Sequence, residues 1–198
     1  AGVGFGDEVV VTPYTWPQSV SPVLFCGGVP VFADIDPHTL NLDPTSVRRK
    51  VTNKTKAIIA VHLFGNPADM PALQKIADEC GALLIADAAH GLGAMLHGRS
   101  VGAWGHAACF SLGRGKLVSG GEGGVMVTAD AGLYENALAL TQHPERLRRM
   151  AGPAAVPGFG LNYRMHPLSA LMAICDLNRM DDRLAHRREI LAAVALVL

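Results

Sequence analysis

Charge is scarce in this 198-residue sequence: 17% of the side chains are Asp, Glu, Lys or Arg, against 49% apolar. Disordered chains show the reverse balance, so disorder is excluded and a well-buried core is expected, in one ordinary domain or a large fragment. Net charge is missing too, because seventeen basic groups cancel seventeen acidic ones. That leaves no field to recruit nucleic acid or an anionic membrane. No apolar run is long enough to span a bilayer, and no basic stretch leads into an apolar signal core, so neither a membrane nor a targeting segment is expected. Cysteine is sparse: Cys26, Cys80, Cys109 and Cys175 lie far apart with no paired short spacing. A disulfide framework and a zinc site are therefore not expected; buried free thiols in a reducing cytoplasm are. Repeats and low-complexity tracts are absent.

Short apolar runs separated by turn residues and helical patterns are what the sequence does contain. Strands are expected at Glu8 to Val11, Val29 to Ala33, Ala57 to Leu63, Ala82 to Ala86, Ala107 to Leu112 and Val125 to Thr128. Helices are expected across Ser19 to Phe25, from Asp43-Pro44, across Ala72 to Cys80 after Asp69 or Pro71, across Leu133 to Leu140, and from Pro167 onward. The opening Gly-Val-Gly-Phe-Gly precedes a strand rather than following one, so it is a turn and not a dinucleotide motif. Gln142 to Pro157, with Arg146, Arg148 and Arg149, is expected to be an irregular, solvated excursion. Leu168, Leu171, Ile174, Cys175 and Leu177 form a stripe near helical spacing, suited to a core or a dimer interface. Alternating strands and helices imply an α/β fold with a mainly parallel sheet.

The stretch Ala82 to Lys116 organises the chain. A strand buried on both faces ends on Asp87, and a second ends at the flexible turn Gly113-Arg114-Gly115-Lys116. Ligands of open α/β sheets bind at the carboxyl edge, so a carboxylate and an amine are offered to one pocket. Pyridoxal phosphate (PLP) uses this pair: a lysine as covalent partner and an acid to keep its ring nitrogen protonated. A surface lysine and a strand-end acid that never meet is the competing reading, and spacing leaves both open. His62, at another strand end, either lines the pocket or is hydrogen-bonded behind it, the second being the expectation. Glu122 is expected to fix the glycine-rich loop around it rather than to perform acid chemistry.

Asp87-Ala88-Ala89-His90, Cys109-Phe110-Ser111 with Lys116, and Gly121-Glu122-Gly123-Gly124 closely resemble the DegT/StrS family of PLP-dependent sugar and cyclitol aminotransferases, of aspartate-aminotransferase fold type I. The likeness extends through Pro13-Tyr14-Thr15-Trp16, Pro30 to Asp36, Val61 to Met70 and Asn162-Tyr163-Arg164-Met165, nearly the whole chain. It implies a three-layer sandwich and a PLP site built from Lys116 as the catalytic, cofactor-bearing residue, Asp87 on the ring nitrogen, Trp16 stacked on the ring, His90 at the ring oxygen and Ser111 on the phosphate. Asn162 is implied to reach the phosphate of a neighbouring subunit, hence a homodimer with shared sites. Without the resemblance Trp16 would be read as a core or interface residue and His90 as an ordinary packed histidine.

The implied reaction moves an amino group from glutamate or glutamine to a keto-sugar or keto-cyclitol, in antibiotic or cell-surface sugar biosynthesis. Two other readings are a sugar dehydratase of the same fold, in which histidine replaces the lysine, and a non-catalytic relative. Against the family pattern the chain is expected to be truncated at both ends. Residues 1–166 would form the PLP-binding large domain without its N-terminal phosphate-binding segment, and residues 167–198 a helix leading to a further domain. His106 stands where the family commonly has Asp.

Overall fold

The protein is described from a computed structural model, which covers residues 1–151 and 160–196. The first half alternates strand and helix: β1 (Glu8–Val11), α1 (Ser21–Phe25), β2 (Val29–Phe32), α2 (Pro44–Lys50), β3 (Thr55–Val61), α3 (Met70–Cys80) and β4 (Leu83–Asp87). A two-stranded hairpin, β5 (Met95–Leu96) and β6 (Arg99–Ser100), precedes β7 (Ala107–Ser111) and β8 (Gly124–Val127). Helices α4 (Ala131–Thr141), α5 (Pro144–Ala151), α6 (Pro167–Leu177) and α7 (Met180–Ala195) follow. Six strands form one sheet in the order β2-β1-β3-β4-β7-β8, parallel except for β8, which runs antiparallel to β7. This is the expected α/β architecture with a mainly parallel central sheet.

The period-two alternation of each strand divides the apolar side chains between two faces. Val10, Ile58, Ala60, Leu84, Ala86 and Ala108 face Val47 of α2 and Leu73, Ile76 and Ala77 of α3, in a fully buried core. Val9, Ala57, Ile59 and Ile85 face the other way, where α1 supplies Val23. Both covering helices start as the sequence dictates. Asp43 caps α2 through the Thr45 and Ser46 amides with Pro44 at the first position, and Asp69 caps α3 through the Ala72 amide. Gly81 ends α3 in the left-handed conformation and turns the chain into β4. His106 finds a structural use: its ring Nδ1 accepts from the Leu84 amide at 2.9 Å while its own amide donates to the Leu84 carbonyl at 2.8 Å, extending the β4–β7 ladder by one side chain.

Four expectations need correction. The helix expected over Ser19 to Phe25 is split into a 3₁₀ turn, Pro17–Ser19, and α1, because Pro17 and Pro22 each favour the first positions of a new helix. The expected excursion from Gln142 contains α5, started by Pro144 with Glu145 in its first turn and braced by an Arg149–Glu145 pair at 3.2 Å; its remainder, 152–159, lies outside the described residues. The hairpin β5–β6 was not expected; its two-residue turn, His97-Gly98, has positive φ at both positions (50° and 74°), which the sequence signals only through Gly98. The four cysteines are free, but Cys26, Cys109 and Cys175 are exposed rather than buried, since they end α1, lie on the open face of β7 and point away from the packed side of α6.

Candidate active site

Loops leaving the carboxyl ends of β1, β3, β4 and β7 meet at one edge of the sheet. There Lys116, Ser111 and His90 line a cavity of about 390 Å³, together with Phe64, Leu117 and Arg187. Asp87 ends β4 directly opposite Cys109 of β7, and Ser111 follows on the same face of β7 two positions later. The acid and the amine thus come from two neighbouring parallel strands and the loop after the second, although Asp87 itself is not among the residues that line the cavity. Asp87 is tied to the His90 side of the cavity by the Ala89 amide, which donates to its Oδ1 at 3.1 Å.

The Lys116 loop is held from both sides. Its amide donates to the Gly113 carbonyl at 3.2 Å, and the Ser111 hydroxyl accepts from the Gly113 amide, also at 3.2 Å. Gly115 sits at φ 87°, a conformation that a side chain would strain, immediately before the lysine. Beneath it, Leu117 and Val118 are buried, and Val118 packs with Leu112 and with Ala173 of α6. Asp176 of α6 accepts from the Ser119 amide at 3.1 Å and from the Arg183 guanidinium at 2.7 and 3.0 Å; these donors hold its carboxyl below the usual range. A Cβ at Gly120 would lie 2.6 Å from the Ser169 carbonyl, so the loop and α6 approach as closely as backbone permits. Helices α6 and α7 therefore brace the lysine loop, a part in the site not expected of them.

Two histidines differ in role. His90 accepts the Phe64 amide at Nδ1 (3.3 Å) and stacks on the Phe64 ring, centroids 6.3 Å apart. Desolvation, then the charge of Lys116, depresses its pKa, with Asp87 opposing. Neutral His90 consequently offers its Nε2 proton as a donor. His62 is fully buried at the end of β3; its amide donates to the Asp87 carbonyl at 3.0 Å, its Nδ1 accepts from the Ala68 amide at 3.0 Å, and its Nε2 has no partner among the described residues. Burial pushes its pKa down to about 4 despite Asp87 nearby. Its hydrogen-bonded place behind the loop matches the sequence expectation.

Trp16 and Asn162 do not line this cavity. Trp16 is 74% exposed just before the Pro17–Ser19 turn. Asn162, at φ 56°, is exposed and accepts from Arg164 Nε at 2.9 Å. Glu122 is exposed on its loop. Ser19 had no expected part in the site, yet its hydroxyl donates to Asp87 Oδ2 at 2.6 Å from 68 positions away. Phe64 was likewise not expected there, and it stands at φ 55° on the cavity wall. A small polar residue between prolines was the only signal for Ser19; Phe64 lies in the Val61 to Met70 stretch, where nothing singled it out from its neighbours.

Known proteins are similar to this chain over most of its length. GDP-perosamine synthase of Escherichia coli O157:H7 is 34% identical over 189 residues, 96% of this chain and 51% of that protein. The L-glutamine:2-deoxy-scyllo-inosose aminotransferase of Streptomyces kanamyceticus is 47% identical over 129 residues, 65% of this chain and 30% of that protein. The crystal structure of 3-amino-5-hydroxybenzoic acid synthase superposes with a TM-score of 0.87 at 39% identity, over 95% of this chain and 49% of that one. The chain spans about half the length of the curated relatives that it matches most fully. Matched over residues 1–198, it belongs to the DegT/DnrJ/EryC1/StrS aminotransferase family, whose members are PLP-dependent.

Proposed function

We propose that this chain carries the cofactor site of an aminotransferase that moves an amino group from glutamine or glutamate to a keto-cyclitol or keto-sugar. The observation that carries the reading is the convergence of Lys116, Ser111 and His90 on one cavity, with Asp87 at the end of the adjoining strand. These residues fit PLP in chemistry: an amine, a hydroxyl beside turn amides, a neutral imidazole donor and a strand-end carboxylate. Bound there, PLP supplies an electron sink for the carbon that loses or gains the amino group. Lys116 would hold the cofactor covalently and carry a proton at its Nζ; Asp87 would take the ring N–H, His90 the ring oxygen and Ser111 the phosphate. Trp16 is exposed and so available to cover a ring face, burying apolar area and excluding water from it.

The presence of Lys116 argues against the dehydratase reading, and the intact set of Asp87, Ser111 and Lys116 against a non-catalytic relative. Homodimerisation with shared sites is part of the proposal. Leu168, Leu171, Ile174 and Leu177 of α6 are all at least half exposed, as a stripe needing a cover would be, and Asn162 is exposed as well. Among the described residues no helix is long and apolar enough to cross a membrane. With four free thiols this favours a reducing, cytoplasmic setting.

α-¹⁵N-glutamine and ¹⁵N-glutamate, offered to the PLP-loaded full protein with panels of keto-inositols and nucleotide-linked keto-sugars, test the reaction. The expected result is label in one acceptor class with wild type and none with Lys116→Ala. Borohydride reduction followed by peptide mapping should place the cofactor on Lys116. No adduct overturns the cofactor assignment; an adduct with no label in either panel overturns the acceptor class.

A further inference from the structure

We infer that Ser19 is a positioning residue for Asp87, the end of a one-way hydrogen-bond chain Thr15→Ser19→Asp87 that fixes the carboxylate for the cofactor ring; the inference rests on the proposed PLP site. Ser19 is only 4% exposed, and its Oγ lies 2.6 Å from Asp87 Oδ2 and 2.8 Å from Thr15 Oγ1. An ionised carboxylate only accepts, so the single Ser19 proton goes to Asp87 and the Thr15 hydroxyl must donate to Ser19. The 2.6 Å separation is that of a charge-assisted O–H···O⁻ bond.

Among the described residues the Asp87 carboxylate accepts from Ser19 on Oδ2 and from the Ala89 amide on Oδ1, and from no other group. Each oxygen keeps one lone-pair site, and the two bonds prevent rotation about the carboxylate axis. Other titratable groups that feel Asp87, namely His62 after β3, His90 on its own loop and Cys109 on β7, leave its oxygens unengaged. The Ser19 amide donates to the Trp16 carbonyl at 3.0 Å, closing the same 3₁₀ turn that Trp16 precedes. One short turn therefore sets both the carboxylate and the proposed aromatic cover.

The test measures PLP dissociation constants and the pH midpoint of the bound cofactor's absorbance for wild type, S19A, S19C, S19T, D87N and S19A/D87N. S19A and the nearly isosteric S19C should weaken PLP about tenfold, as loss of a bond to a charged acceptor does, and shift the midpoint by about one pH unit. S19T should restore both. In the D87N background S19A should add less than about twofold, because Ser19 acts only through the charge it holds. S19A and S19C indistinguishable from wild type, or S19A equally costly with and without the Asp87 charge, would overturn the inference while leaving the PLP site standing. A wild type that forms no borohydride-trapped adduct on Lys116 would remove the cofactor reading and this inference together. S19C nearly keeps the side-chain volume and S19T keeps the hydroxyl with one added methyl, so a folding defect in S19A does not blunt the result.

Discussion

The two faces of the central sheet differ in what they carry. The face toward α2 and α3 presents Val10, Ile58, Ala60, Leu84 and Ala86, all fully buried. The opposite face presents Val9, Ala57, Ile59 and Ile85, then Asp87, Cys109 and Ser111 toward the carboxyl edge, and is covered in part by α1. Stability is concentrated where no reactive group sits, and chemistry where packing is incomplete. A strand of alternating side chains serves both ends because its two faces are chemically independent.

Lys116→Ala should break this division most visibly from the chemical side. Amino transfer should fall by about 10³-fold or more, as expected on loss of a covalent and acid–base group, with the urea midpoint unchanged. From the other face, Leu84→Ala should cost about 3 kcal/mol in equilibrium unfolding, through lost burial and the cavity left behind, while PLP affinity stays put. A concurrent loss of PLP affinity would show that the two faces are coupled.

His62 joins the faces and supplies the pH signature. Its folded pKa of about 4 lies below the ordinary 6.5, so the unfolded chain takes up a proton first as the pH falls. Its contribution is complete above pH 6.5 and is lost progressively down to about pH 4, amounting to at most about 3 kcal/mol at ~1.4 kcal/mol per unit. His62→Asn, which retains an acceptor for the Ala68 amide, should flatten that segment of the stability–pH curve. Smallest of all is Glu79→Gln: its partner Arg48 holds the carboxyl below its usual range, yet the pair is solvent-exposed, and thermal melts should not distinguish the variant.

Strands and capped helices were legible because each rests on local chemistry: apolar runs between turns for β1, β3 and β4, and Asp-Pro or Asp-Met-Pro starts for α2 and α3. The strand-end position of Asp87 and the loop position of Lys116 were legible because a strand-end acid and a glycine-flanked lysine are themselves local patterns. Ser19 was not, since its partner lies 68 residues away and nothing beside it in sequence records the bond. The bracing of the lysine loop by Asp176 and Gly120 was hidden for the same reason. Helix α5 was obscured by composition: Pro144 reads as a breaker until its favoured first-turn position is considered.

The antiparallel pairing of β7 with β8 bears on the order in which the protein opens. Every other strand pair in the sheet is parallel and needs a long crossover, whereas β7 and β8 are joined directly by the loop that carries Lys116. At the end of the strand order, with Val125 and Met126 exposed, β8 can detach while β1, β3 and β4 stay paired. The Val125 and Val127 amides should then exchange with deuterium well before those of Ala60 and Ala86, and bound PLP should slow the former selectively. The lysine loop is in that sense a separately unfolding unit, held by its packing on α6 rather than by the main core and steadied further by the ligand.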